Sequence, residues 1–512
     1  MPAPHPVLLS ARMDHLRECE PFDPARLARG LAALGMRDTA LFESTLPGGG
    51  ERGRWSLVAF GARRRYVAEG ETGFAVDGAA APPALAAFEE ALLAAGPRAW
   101  AGLAQAEAHG RAAPGTTRRD ADAPADGPPF RGGFAVALSY DAARGLDDFA
   151  PWIARAAPDR RSPRFDLRLF GAVGALDHAS GRAFWVAPAH PFFADSPEER
   201  TAQAQALAGR ALAAAPGDDA TDEPGSSAAA PAALSSNMSD ADYAHAFDRL
   251  QEYLRAGDLY QANLTRRFDA PCALDAPALY ARLRRAAPAP YACLLDDPAR
   301  AVVSASPELF LARRGSRLVT RPIKGTRPRD PDPERDKSLA EELRASAKDR
   351  AEHVMIVDVH RNDLGRVCDY GSVTVPALAA HEAFPTVHHL TSTIEGRLAG
   401  GASAGSWPAI AAAFPAGSIT GAPKRRACEV IEELEPTRRA LYCGALGWWD
   451  LGGDFALNVA IRTILLASGT ATFQSGGGIV IDSQVEQEAA ETWNKARALH
   501  AAVSGAAAVP AP

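Results

Sequence analysis

The feature that most limits the fold is the segment 214–236 (AAPGDDATDEPGSSAAAPAALSS), which has no hydrophobic periodicity and is rich in Ala, Pro, Gly, Ser and Asp. A stretch of this kind buries too little apolar surface to offset its ordering entropy, so it reads as a linker. It separates an N-terminal region 1–213 from a region 237–505. Strand-like and helix-like runs alternate on both sides, which allows a duplicated arrangement of strands and helices.

In the first region, Ala40 to Ser44 and Arg54 to Phe60 read as strands around a Gly48-Gly49-Gly50 turn. Ala84 to Ala95 reads as a helix ended by Gly96-Pro97, and Phe130 to Asp141 as a strand. Leu167 to Leu176 with Ala183 to Ala187 suggests a hairpin, and the polar run 106–129 reads as a mobile loop. Past the linker, Ser239-Asp240-Ala241-Asp242 resembles a capping box. Tyr243, Phe247, Leu250 and Leu254 form one helical face, and Gly257 closes the helix.

A chain of 512 residues makes two or three average domains or one large unit. Its net charge of -7 argues against a non-specific nucleic-acid binder. The six cysteines form no CxxC pair, and no window is apolar enough to span a membrane. The expectation is a soluble, cytoplasmic protein with reduced thiols, bound to neither nucleic acid nor membrane.

The chemistry concentrates after residue 300. Pro322-Ile323-Lys324-Gly325-Thr326-Arg327 reads as a strand end opening into a loop. Gly325 permits a turn or a close ligand approach, with Lys324 and Thr326 together at the mouth of a sheet. Lys324 is either a nucleophile or a solvated lysine. Glu308 follows a strand broken at Pro307, where a carboxyl either enters a cavity or lies on the surface. Lys348 to Asp358 and Val485 to Leu499 read as helices. Asp349 and Glu352 share a face of the first, and Glu488, Glu491 and Lys495 a face of the second. These are either hard oxygen ligands for Mg²⁺ or solvated charged faces. Gly417 to Lys424, containing Ser418, is a glycine-flanked loop entering a helix Arg425 to Leu434, suited to an anion. Arg462 interrupts an apolar strand Phe455 to Leu466 and wants either a planar anion or a structural salt bridge. Gly476, Gly477 and Gly478 follow a strand. They lack dinucleotide-binding spacing, so they allow either close contact with a small anion or a flexible turn.

The ordered set SPELF, PIKGTRPR, KDRAEHVMIVDVHRNDLG, HHLTSTIEG, FPAGSITGAPKRRACEVIEELE, YCGALGWW, IRTI, GGGIVIDS and EAAETWNKA resembles the chorismate-utilising family. That family includes the large subunits of anthranilate and aminodeoxychorismate synthases, and the isochorismate and salicylate synthases. The resemblance is dense over about 239–500 and thinner before it. It implies an α+β fold of two packed β-sheets flanked by helices, with both regions in one intertwined unit. Lys324 matches the PIKGT of the aminodeoxychorismate branch, whereas the anthranilate branch resembles PIAGT. Gln261 stands where isochorismate-forming members place a water-activating lysine.

On that resemblance, Lys324 attacks C2 of chorismate as the C4 hydroxyl leaves, and ammonia then adds at C4. Glu308 is the implied general acid/base. Glu352 and Glu491 hold Mg²⁺, with Asp349 and Glu488 close by. Arg462 and the Gly476–Gly478 backbone take carboxylate oxygens. Ser418 and Tyr442 line the pocket, Gly325, Thr326 and His389 orient the substrate, and Lys495 balances the carboxylates. Glu43, Ser44, Pro290 and Tyr291 resemble the family's tryptophan pocket. No cysteine lies in a glutaminase nucleophile loop, so ammonia is expected free or from a separate glutamine amidotransferase subunit, and no room is expected for a lyase making 4-aminobenzoate. Anthranilate or isochorismate synthesis, or a non-catalytic tryptophan-binding paralogue, are the alternatives.

Overall fold

Strand Thr39–Glu43 is buried along its whole length, and its side chains alternate between two cores. Leu41 packs with Leu27, Leu31, Leu279 and Leu283 from helices Pro24–Ala33 and Ala276–Ala286. Ala40 and Phe42 point the other way, toward Ala135, Ala137, Leu446 and Trp448. Successive residues of a strand face opposite sides, so a continuous apolar run belongs to a strand covered on both faces.

The computed structural model describes residues 14–46, 53–68, 74–78, 81–94, 103, 107, 127–146, 156, 162–216 and 234–505. Two antiparallel sheets, of twelve and eleven strands, face each other across the core that contains Phe42 and Trp448. Helices Pro24–Ala33, Pro197–Ala214, Ala276–Ala286 and Val485–Ser504 cover the outer face of the first sheet. Helices Pro83–Ala94, Ala347–Gly365 and Ser406–Ala413 cover the second. The α+β class with two packed sheets is therefore as expected. Strands from both sides of the linker share each sheet. Thr39–Glu43 pairs with Tyr291–Asp296 in the first, and Gly133–Leu138 with Ala445–Asp450 in the second. All six cysteines are free thiols, and among the described residues no helix is long and apolar enough to cross a membrane.

Local signals translate well where they rest on side-chain chemistry. Ser239 and Asp242 form the capping box of helix Asp240–Ala256, and Gly257 ends it in the left-handed region at φ 80°. Helix Val485–Ser504 and helix Ala347–Gly365 extend the predicted spans. Helix Lys424–Leu434 begins one residue earlier than predicted, after a short 3-10 turn Gly417–Ile419.

Four expectations change. Leu167 to Leu176 is two strands, Phe165–Phe170 in the second sheet and Val173–Asp177 in the first; only the latter forms the hairpin with Arg182–Ala187. Phe455 to Leu466 likewise splits into Phe455–Val459 in the second sheet and Thr463–Ala467 in the first. The loop read at Lys324 is strand Ile323–Pro328, and Gly476–Gly478 lie inside strand Thr470–Ile479. Periodicity reports that a run is extended, not which sheet receives it.

The Gly48-Gly49-Gly50 turn lies outside the described residues, as do most of 106–129 and 214–236. Within the former, Glu107 is buried and accepts the N–H groups of Ser406 and Trp407 at 2.8 and 3.1 Å, capping helix Ser406–Ala413 from outside that helix. Trp449 anchors the second core, stacked on Phe134 at 5.1 Å and edge-on to Trp407 at 5.1 Å. Trp449→Ala is expected to lower unfolding free energy by about 3–5 kcal/mol, read from the denaturant midpoint.

Candidate active site

The chain passes between the two sheets at two neighbouring points, and each carries a charged side chain. Pro307-Glu308 joins Ala301–Ser306 of the first sheet to Leu309–Arg314 of the second. Ala460 to Arg462 joins Phe455–Val459 of the second to Thr463–Ala467 of the first. The crossings are tied to each other. Val459 N–H donates to Glu308 O, and Ala305 N–H to Arg462 O, both at 3.0 Å, while Ser306 Oγ donates to Val459 O at 2.6 Å. Arg462 sits at φ +49°, a left-handed conformation uncommon for a residue with a Cβ. Among the described residues its guanidinium has no ion-pair or hydrogen-bond partner, and burial pushes its pKa down. The structural salt bridge left open for it is not made.

Glu308 is buried and accepts a short hydrogen bond from Ser418 Oγ on the Gly417–Ile419 turn. Burial raises its carboxyl pKa to about 7, and the Ser418 hydroxyl and the Lys324 and Lys495 charges restrain that rise. It can therefore exchange a proton near neutral pH, as a general acid/base must.

Lys324 lies on the edge strand Ile323–Pro328, paired with Val387–Arg397. The register shifts between Lys324 and Thr326, with Gly325 in the left-handed region at φ +76°. This bulge re-aims the side chains on either side of it. A Cβ on Gly325 would also stand 2.9 Å from Leu343 Cδ1, so a side chain there would strain the bulge and displace the end of Leu343. Lys324 Nζ reaches Glu352 Oε1 at 2.8 Å, and the two side chains are only 10% and 15% exposed. Glu352 comes from helix Ala347–Gly365, whose start is capped by Ser346. Across the strand pair, Thr326 Oγ1 and Gly325 O lie 2.9 and 3.3 Å from His389 Nδ1. Burial, then the Arg462 charge, push the His389 pKa down to about 3, so the ring is neutral, and its Nε2 is buried without a partner among the described residues.

Gly477 and Gly478 make room for this cluster, whereas a Cβ on Gly476 would meet Leu264 O of the paired strand at 2.2 Å. A Cβ on Gly477 would lie 2.7 Å from Glu488 Oε2 and 3.8 Å from Glu491 Oε1. One on Gly478 would lie 2.1 Å from Gln261 Nε2 and 3.0 Å from Lys324 Nζ. Gly476 O accepts from Lys495 Nζ at 3.0 Å, and Lys495 also pairs with Glu491 at 2.5 Å. Burial raises the Glu488 pKa, with Glu491 adding to it; burial pushes Glu491 up as well, but the Lys495, Lys324 and Lys348 charges more than reverse it. Glu352, Glu488 and Glu491 are thus oxygen donors that could hold a hard cation. Among the described residues no group of three or more Asp, Glu, His or Cys side chains is preassembled around a metal position. Mg²⁺ takes one or two protein carboxylates and completes its shell with water and substrate oxygens. Asp349 is turned to Arg327 at 3.2 Å instead.

Tyr442 follows the Arg439 turn, its N–H donating to Arg439 O at 3.1 Å, and burial holds its phenol protonated. Glu43 and Ser44 meet Pro290 and Tyr291 at one end of paired strands, Glu43 being in register with Ala292. The Glu43 carboxylate is already engaged by Tyr280 Oη at 2.8 Å, Arg284 Nε at 3.4 Å and Ser56 Oγ at 3.4 Å.

Two side chains stand out that the sequence reading left unassigned. Gln261, read only as a missing lysine, is buried with its amide nitrogen against Gly478, and its Oε1 has no partner among the described residues. Arg439, fully buried, is bidentate on Glu435 at 2.9 and 2.7 Å and donates to Ile419 O and Asn263 O at 2.8 and 3.1 Å. It thereby ties the Ser418 turn, the Tyr442 turn and the strand opposite the glycines together. A charged residue reads as surface by default, so only the i, i+4 spacing of Glu435 and Arg439 hinted at this pair.

Arg439→Met strands the buried Glu435 carboxylate and is expected to cost about 3–5 kcal/mol of stability, part of which Glu435→Gln restores. For Glu308 the sign follows from a folded pKa of about 7 against an ordinary 4.5. Its stabilising contribution is present at low pH and lost as pH rises through 7. Glu308→Gln is therefore expected to gain melting temperature relative to the parent between about pH 5 and pH 8.

Residues 63–501 match the family described as chorismate binding enzyme. Aminodeoxychorismate synthase component 1 of Bacillus subtilis (strain 168) is 37% identical over 376 residues, 73% of this chain and 78% of that protein. Anthranilate synthase component 1 of Streptomyces coelicolor is 42% identical over 397 residues, 74% of each chain. The crystal structure of anthranilate synthase component I from Streptococcus pneumoniae TIGR4 superposes with a TM-score of 0.70 at 26% identity, covering 88% of this chain and 92% of that one. The chain belongs to the chorismate-binding enzyme family and is a chorismate-utilising enzyme.

Proposed function

We propose that this enzyme aminates chorismate at C4 to 4-amino-4-deoxychorismate, as the chorismate-binding component of an aminodeoxychorismate synthase on the route to 4-aminobenzoate and folate. The observation that carries the reading is the Lys324–Glu352 contact at 2.8 Å, beside Gly478 and within the electrostatic reach of Glu308. A lysine in that position supplies a nucleophile to a buried, charged cleft.

In this reading the Lys324 amine forms a bond to C2 while the C4–O bond breaks, and Glu308 passes its proton to the departing hydroxyl, which leaves as water. Ammonia then bonds to C4 and the C2–N bond to Lys324 breaks, returning the lysine and a proton to the site. Arg462 receives a substrate carboxylate, the group its unpartnered guanidinium suits. The Gly476–Gly478 backbone and Ser418 complete the cradle, with Tyr442 along the pocket wall. Gly325, Thr326 and the neutral His389 orient the ring, and Lys495 balances the carboxylates. Glu352 and Glu491 would hold Mg²⁺, with Glu488 close by and Asp349 on the same helix face as Glu352. Mg²⁺ when bound supplies a Lewis acid for the ring carboxylate.

All these side chains come from 237–505, so that region is read as catalytic and 1–213 as the part that completes both sheets. The corner of Glu43, Ser44, Pro290 and Tyr291 is read as a tryptophan-type pocket. The relatives are named component 1, which supports a separate glutamine amidotransferase as the ammonia source. Anthranilate synthesis is the second reading, favoured by the 42% identity to the Streptomyces coelicolor protein.

Lys324→Ala is expected to lower ammonia-dependent formation of the 4-amino product by at least about a hundredfold in kcat. Unchanged product formation in that variant contradicts the covalent route. Glu491→Ala is expected to raise the Mg²⁺ concentration for half-maximal activity about tenfold or more; an unaltered Mg²⁺ dependence removes Glu491 from the ligand set.

A further inference from the structure

Beneath the Lys324–Glu352 contact lies a hydrogen-bonded chain that the reaction scheme does not use. His353, next to Glu352 on helix Ala347–Gly365, is completely buried, and its Nε2 lies 2.6 Å from Ser392 Oγ. Ser392 belongs to Val387–Arg397, the strand paired with the Lys324 strand, and its own N–H donates to Pro322 O at 3.2 Å. The same Oγ accepts the N–H of Ala379 at 2.8 Å. That leaves the hydroxyl its hydrogen and a second lone pair, so it can donate to Nε2 of a ring protonated on Nδ1 or accept from Nε2–H.

Ala379 stands at φ +48°, at a register shift in strand Thr374–Ala383. A left-handed alanine persists only where its surroundings hold it, and here its N–H is aimed at Ser392. Three elements therefore converge on one hydroxyl: the helix bearing Glu352, the strand behind Lys324, and a bulged neighbour. Among the described residues the edge strand carrying Lys324 has only Val387–Arg397 as its sheet partner. The Lys324–Glu352 and Arg327–Asp349 contacts cross from that strand to the helix at the surface of the site, and beneath them His353 ties the same helix to Ser392 on the strand behind Lys324.

We propose that His353 is a positioning residue for Lys324: through Ser392 it fixes the spacing between the Glu352 helix and the Lys324 strand, and so holds the lysine where it reacts. The inference rests on the reading of Lys324 as nucleophile. It assigns His353 no contact with substrate, so it predicts an effect on turnover rather than on binding.

The test compares His353→Phe, His353→Gln, Ser392→Ala and Lys324→Ala in the full-length enzyme, following chorismate consumption with ammonium and Mg²⁺. His353→Phe keeps the packing but removes the nitrogen, and Ser392→Ala removes one oxygen while leaving the ring. Both are expected to lose about 10–100-fold in kcat with chorismate KM within about threefold of the parent. His353→Gln, whose amide reaches the Nε2 position, is expected to recover most of that loss. Should His353→Phe fail to fold, Ser392→Ala and His353→Gln decide alone. A raised KM with unchanged kcat, or a Ser392→Ala enzyme equal to the parent beside a crippled Lys324→Ala, overturns the inference and leaves the reading of Lys324 standing. A Lys324→Ala enzyme equal to the parent overturns that reading, and the positioning role with it.

Discussion

The candidate site depends on the paired crossings between the two sheets. At Pro307-Glu308 and at Ala460 to Arg462 the chain leaves one sheet for the other, and backbone hydrogen bonds lock the crossings side by side. A strand can bury a polar side chain only where its pleat lets that side chain escape the apolar layer. A crossing removes the pleat altogether. Glu308 and Arg462 can therefore project into the space between the sheets rather than into either core, and Ser418, His389 and Lys324 gather round them from other elements.

Burial then decides the charge state of each group. Glu308 is raised until it exchanges protons near neutral pH, His389 is held neutral, and Arg462 remains without a counter-ion among the described residues. Lys324 and Lys495 each face a carboxylate, Glu352 and Glu491. An anionic ligand with two carboxylates would meet one unpaired arginine and two lysines already held in place. Preorganised positive charge of this kind needs no rearrangement as the substrate's charge shifts. The buried Glu435–Arg439 pair serves the same end from behind, because it fixes the turns that present Ser418 and Tyr442.

Much of this was legible in the sequence, and the boundary between what was and what was not is physical. Helix faces were readable because i, i+3 and i, i+7 spacings are local: Glu488, Glu491 and Lys495 do lie together beside the glycines. Capping at Ser239 and the break at Pro307 were readable for the same reason. Sheet membership was not. The runs at Leu167 to Leu176 and Phe455 to Leu466 look continuous because both halves of each are buried, yet each divides between sheets. Gly476–Gly478 suggested a turn because glycine weakens a strand. The reason for Gly477 and Gly478, space for Gln261, Lys324 and Glu488, exists only in three dimensions. The tying roles of Arg439 and His353 were not readable because Ile419, Asn263 and Ser392 are 20, 176 and 39 positions away.

The central claim is that Lys324 directs amination to C4, and the identity of the product tests it most directly. Chorismate, Mg²⁺ and ammonium at mildly alkaline pH are incubated with the enzyme, and the product is separated and then offered to an aminodeoxychorismate lyase. The account predicts a non-fluorescent product that the lyase converts to 4-aminobenzoate. Fluorescent anthranilate formed without the lyase contradicts it.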